Sequence, residues 1–119
     1  MKKHEALAAL AALAQDNRLD VFRLLVEAGR DGMPAGSVAE ALKLAPNTLT
    51  FHFDRLRDAG LVTVRREGRS MIYSARYETM NVLIAYLTEN CCRGHADQCI
   101  PAKSQRAPAN RARRKELVT

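Results

Sequence analysis

Pro46-Asn47-Thr48-Leu49-Thr50-Phe51-His52-Phe53-Asp54-Arg55-Leu56-Arg57-Asp58-Ala59-Gly60 is followed at once by Leu61-Val62-Thr63-Val64-Arg65-Arg66-Glu67-Gly68-Arg69-Ser70-Met71-Ile72-Tyr73-Ser74. The first run has a helical period, since at 100° per residue Leu49, Phe53 and Leu56 share one face. Pro46 suits a first helical position and Gly60 suits a stop. In the second run the period changes to two. Val62 to Arg65 and Met71 to Ser74 alternate on either side of the turn residues Glu67-Gly68, which predicts a β-hairpin with Arg65, Arg66 and Arg69 at its tip. A helix handing over to a basic hairpin decides the fold.

Upstream, Lys43-Leu44-Ala45 is a tight turn between that helix and a shorter one, which starts between Pro34 and Ser37 and ends near Leu42. Ser37-Val38-Ala39-Glu40 has the form of a capping box for it. An earlier helix spans Arg18 to Ala28, with Val21, Phe22 and Leu25 along one side, Asn17 as its N-cap and Gly29 just past its end. Leu7, Leu10, Ala11 and Ala14 form the stripe of a first helix. Beyond the hairpin, Met80, Leu83, Ile84 and Leu87 mark a last helix from about Arg76 to Asn90. Four helices, a hairpin and a fifth helix make a mainly α, α+β chain of winged helix-turn-helix architecture. The expected organisation is a DNA-binding and dimerisation domain over 1–92, a cysteine-containing segment over 93–102 and a basic disordered tail over 103–119.

The composition fits one domain of ordinary globular character: 119 residues, 47% hydrophobic, with a formal net charge of +6. The longest apolar run, Ala6 to Ala14, is mostly alanine and too short to span a bilayer, so no membrane partner is expected. Met1-Lys2-Lys3-His4 ahead of that run superficially resembles a signal peptide, but Glu5 interrupts it and alanine is weakly hydrophobic. A cytoplasmic protein is expected. Residues 103–119 hold six basic residues and one Glu, so most of the excess charge lies in the tail. Residues 43–69 still carry six basic and three acidic residues, and that is where a polyanion would dock.

The face of the Pro46 helix opposite Leu49 collects Asn47, Thr50 and Phe51, with Asp54 and Asp58 further along. Its first turns lack charge and its far end is acidic, as suits a helix that enters a major groove by its N-terminus. Asn47 matches a two-pronged contact to adenine, Thr48 and Thr50 match phosphate or thymine, and Phe51 matches a thymine methyl. Arg55 lies on the same helix, and Arg65, Arg66 and Arg69 would hold phosphates. Taken singly, each is as readily a solvated surface residue. Together they point to double-stranded operator DNA. Catalysis is not expected, for there is no phosphate-cradling loop, no Cys-x-x-Cys at a helix start and no Ser-His-Asp set.

Arg18-Leu19-Asp20-Val21-Phe22-Arg23-Leu24-Leu25 resembles the second-helix signature of the ArsR/SmtB family of metal-sensing winged-helix repressors. Leu49-Thr50-Phe51-His52-Phe53, with Leu56-Arg57-Asp58-Ala59-Gly60-Leu61-Val62, resembles that family's recognition helix and its exit. The resemblance covers about residues 5–92. It implies a homodimer paired through the first and last helices (Leu7, Leu10, Met80, Leu83, Ile84, Leu87) that leaves its operator when a metal or metalloid binds. Phe51 stands where relatives commonly carry a basic residue, so base preference does not carry over. His52 belongs to the motif but lies beside the Leu49 stripe, and reads as a satisfied, half-buried histidine.

The three cysteines are Cys91, Cys92 and Cys99, an odd and clustered set unlike a secreted disulfide framework. Adjacent cysteines rarely bond to each other, but can offer two thiolates to one soft ion, with Cys99 as a third. Arg93 and His95 nearby favour the thiolates. Trivalent arsenic and antimony take three sulfurs, so As(III) or Sb(III) is the expected inducer. The third helix has no cysteine and the last lacks the histidine and carboxylate set of zinc-sensing relatives. The trio resembles a variant arsenic-repressor group with a double cysteine just after the last helix. Zinc or cadmium on Cys91, Cys92, His95 and Cys99 is the alternative, though without the usual C-x₂-C pair. A thiol-redox switch and a ligand-blind DNA-binding protein remain further readings.

Overall fold

Pro46 begins a helix that runs to Asp58, with Ala45 extended before it (φ −65°, ψ 144°). At the far end Gly60 adopts φ +77°, and the N–H groups of Gly60 and Leu61 donate to the carbonyls of Arg57 and Leu56, each at 2.9 Å. This left-handed ending is the one glycine allows cheaply. The computed structural model describes residues 1–95. Its helices are α1 (Lys3–Leu13), α2 (Asp16–Ala28), α3 (Ala35–Leu42), α4 (Pro46–Asp58) and α5 (Tyr77–Leu87), and its strands are β1 (Met33–Pro34), β2 (Val62–Glu67) and β3 (Ser70–Ala75). A mainly α fold with a winged hairpin is therefore what forms.

The strands make one antiparallel sheet in the order β1-β3-β2. In the hairpin Val62 faces Ala75 and Glu67 still faces Ser70, so the connection is Gly68-Arg69, one residue later than expected. β1 was not anticipated, because two residues carry no period. It joins β3 with Met33 opposite Tyr73. Gly32 makes that approach possible: at φ +75°, an added Cβ would lie 2.4 Å from the Tyr73 carbonyl oxygen.

Val21, Phe22 and Leu25 of α2 and Leu49, Phe53 and Leu56 of α4 are buried together as their spacing predicts. Phe53 stacks on Tyr73 with centroids 3.6 Å apart and planes 3° from parallel, which ties α4 to the wing. Tyr77 fastens α5 to α2 by donating its hydroxyl to the Val26 carbonyl at 2.8 Å.

Several local expectations are corrected. The cap of α2 is Gln15, whose side chain accepts from the Arg18 N–H at 2.9 Å; the helix begins at Asp16, so Asn17 already lies inside its first turn. Pro34 precedes α3, which places Ser37 third in the helix, where it cannot cap. α1 turns Ala6, Ala9 and Ala12 into the core and leaves Leu7 and Leu10 of the leucine stripe exposed. Alanine lets a helix approach its neighbours closely, and the longer leucines are left outside. α5 ends at Leu87, and Leu83 packs inside this subunit's own core with Met80 against it, while Ile84 and Leu87 are exposed. The first compact unit is Met1–Leu87. Residues 96–119, including Cys99 and the basic tail, lie outside the described residues. Among the described residues no helix is long and apolar enough to cross a membrane.

Candidate nucleic-acid interface and cysteine segment

α3 and α4 are joined by Lys43-Leu44-Ala45. Lys43 is left-handed (φ 56°, ψ 46°), and the Leu44 N–H donates to the Ala39 carbonyl at 3.0 Å, which fixes the turn. Leu49, Phe53 and Leu56 anchor α4 from beneath, so Asn47, Thr48, Thr50, Phe51 and Arg55 are all exposed.

Their chemistry differs from residue to residue. Asn47 Oδ1 accepts from the Thr48 N–H at 3.0 Å, which occupies one of the two lone pairs on the oxygen that a two-pronged adenine contact uses. The Thr50 hydroxyl donates back to the Pro46 carbonyl at 3.0 Å, a local bond typical of helical threonine. Phe51 is 50% exposed, and the Arg55 guanidinium lies 5.0 Å from its ring centroid, a cation–π distance.

His52 is buried, as its place beside Leu49 suggested, but it is not satisfied: its Nδ1 has no hydrogen-bond partner. Burial holds its pKa below the ordinary imidazole value, and the Arg18 charge acts in the same direction. The Phe51 ring meets it edge-on at 5.6 Å and 62°.

The three wing arginines are not equivalent. Arg65 donates to Glu67 Oε2 at 2.7 Å and to the Asp31 carbonyl at 2.8 Å, so it braces the wing against the chain leading into β1. Arg66 donates to the Gly68 carbonyl at 3.2 Å. Arg69 is exposed in the two-residue connection. β3 pairs with Pro34 on one side and Arg65 on the other, both at Ile72, and because β1 had no signal in the sequence, neither did the brace.

A family profile described as a helix-turn-helix domain matches residues 13–65. The HTH-type transcriptional regulator YgaV of Escherichia coli is 31% identical over 88 residues, spanning 74% of this chain and 87% of that protein. The structure of an ArsR-like transcriptional regulator from Rhodococcus sp. RHA1 superposes with a TM-score of 0.64 at 27% identity, covering 87% of this chain and 93% of that one. The chain belongs to the ArsR family of winged-helix transcriptional regulators. Another relative, the transcriptional activator HlyU of Vibrio cholerae, is 27% identical over 97 residues, covering 80% of this chain and 87% of that protein. This ArsR-family chain is thus a DNA-binding regulator and not an enzyme.

Beyond α5, Cys91–Gly94 is a kinked pair of tight turns, left-handed at Cys92 and Arg93, with the Cys91 N–H donating to the Thr88 carbonyl and the His95 N–H to the Cys92 carbonyl, each at 3.0 Å. Asn90, Cys92 and Arg93 have φ of 57°, 53° and 56°, a conformation that asparagine adopts readily but that costs roughly 1–2 kcal/mol per residue at Cys92 and Arg93. Cys91 is half-buried and Cys92 exposed. Among the described residues no group of three or more His, Cys, Asp or Glu could hold a metal ion. The described residues supply two of the three expected sulfurs.

Proposed function

We propose that this ArsR-family chain is a homodimeric repressor that binds operator DNA through α4 and the wing and releases it when As(III) or Sb(III) binds Cys91, Cys92 and Cys99. One observation carries the DNA reading: a rigidly anchored α4 with its exposed face outward, stacked through Phe53 and Tyr73 onto a wing tipped with Arg66 and Arg69. Phe51 and Arg55 lie toward bases, Thr48 and Arg69 toward phosphate, and Arg65 chiefly sets the wing's angle.

The large apolar side chains exposed on α1 and α5 support the dimer. Leu7, Leu10, Val82, Ile84 and Leu87 are 58%, 39%, 43%, 53% and 57% exposed, large apolar side chains of the kind that association covers. Val82 replaces Leu83 in the expected set. Two adjacent thiol side chains, one of them exposed, support the metalloid reading, and soft sulfur donors favour soft ions. Trivalent arsenic supplied as arsenite exchanges three As–O bonds for three As–S bonds, the three thiol protons leaving with oxygen as water and no electrons changing hands. Strain at Cys92 and Arg93 supports a segment whose conformation a ligand would reset. A thiol-oxidation switch on the same cysteines is the second reading, favoured by the exposure of Cys92.

The test is DNA-binding anisotropy of the full chain under reducing conditions, titrated separately with arsenite, antimonite, zinc and cadmium. Arsenite and antimonite are expected to release the duplex, and changing Cys91, Cys92 and Cys99 together to serine to abolish release while preserving DNA binding. Release by zinc or cadmium alone would replace the metalloid reading. Release only after oxidant is added would favour the redox one.

A further inference from the structure

We infer that Phe51, held in place by Arg55, reads the C5-methyl group of a pyrimidine in the operator's major groove. The inference rests on the DNA-reading role proposed for α4 and names the chemistry that role recognises.

Two of the polar groups at the start of α4 bond to the helix itself. Asn47 Oδ1 accepts from the Thr48 N–H and the Thr50 hydroxyl donates to the Pro46 carbonyl. What stands outward on the same stripe, one turn further along, is an aromatic ring half exposed to solvent. Such exposure of phenylalanine is unfavourable in the free protein, and burying it against an apolar partner is favourable.

The ring is also fixed. Arg55, four residues on, places its guanidinium 5.0 Å from the centroid, while buried His52 meets the ring edge-on at 5.6 Å. Beside it lies a groove of about 370 Å³ that Phe51 and Arg55 share with Ala8, Ala11, Ala12, Arg18 and Asp58. A rigid apolar surface loses little conformational entropy on contact.

A phenyl ring has neither donor nor acceptor, so it cannot sort bases by hydrogen bonding. The thymine C5-methyl is the one apolar group that the four base pairs present in the major groove. Uracil lacks it, as cytosine does, and 5-methylcytosine has it. Arg55 acts here as a positioning residue, and a cation–π contact leaves its N–H donors available for a neighbouring guanine.

The experiment uses the full chain and a duplex selected by it from a randomised pool. Each thymine is replaced in turn by deoxyuridine, which deletes one methyl and nothing else. One thymine per half-site is expected to lose about fourfold in affinity on replacement, the worth of one methyl taken out of water. At that position a cytosine should gain a similar factor when methylated at C5. Phe51→Ala should erase both effects, and Arg55→Gln should weaken them while leaving the thermal unfolding midpoint unchanged.

A tightly bound duplex in which every deoxyuridine is neutral overturns the methyl reading and spares the DNA-reading role. The same holds if the methyl effect survives in Phe51→Ala. Failure to select any duplex above the random pool overturns both. The scan on the unaltered protein decides the matter even if a variant does not fold.

Discussion

His52 shows how much one side chain can disclose. It sits in the middle of α4 with Nδ1 unpartnered and with Arg18 near enough to oppose a second positive charge. Folding therefore disfavours the imidazolium, and the unfolded chain takes up a proton at higher pH than the native one. Stability from this group is complete above the ordinary histidine value and is lost as pH falls below it. Denaturant titrations between pH 7.5 and about pH 5 are expected to show falling stability, with a shallower fall in His52→Leu. Equal pH slopes in the two proteins would contradict the account. The residue's burial was legible from its spacing against Leu49, whereas its missing partner depends on how α1 and α2 close over it.

At the scale of elements, α4 and the wing do different work from what a count of arginines implies. Arg65 is tied to Asp31 and Glu67, while Arg69 is exposed at the tip. Arg69→Ala is expected to weaken DNA binding on all sequences and to reduce the salt dependence by about one phosphate contact. Arg65→Ala should instead leave that slope nearly unchanged and lower the unfolding midpoint. Affinity measured from 50 to 300 mM salt, with thermal melts alongside, separates the two; equal loss of slope in both variants would contradict the distinction.

The same scale shows what the sequence could disclose. Pro46 and Gly60 mark both ends of α4 because proline's fixed φ suits a first helical turn and glycine takes the left-handed ending without penalty, and the hairpin follows from its alternation. β1 is too short to have a period. The inward face of α1 had no clear signal, because alanine and leucine are both apolar and periodicity alone cannot decide which of them packs against the core. Asn17 and Ser37 are good cap types, but the caps shifted when α2 began at Asp16 and Pro34 set the start of α3.

Over the whole molecule, the outward leucines of α1 and the outward residues of α5 belong to the first compact unit and are left uncovered within it. Replacing Leu7 and Ile84 together by glutamate is expected to give a monomer in sedimentation equilibrium. It should weaken operator binding more than about tenfold, because two half-sites are no longer held together. Helical content should persist, since neither side chain is buried within the subunit. A variant that remains dimeric would place the contact elsewhere.

The proposed release of DNA is likewise a property of the whole molecule, and it is reciprocal: if metalloid weakens DNA binding, DNA must weaken metalloid binding by the same factor. The most direct test is the arsenite affinity of the reduced full chain, with and without saturating operator duplex. The account predicts affinity weaker by roughly 5- to 150-fold when DNA is bound. Equal arsenite affinity in the two states would contradict it.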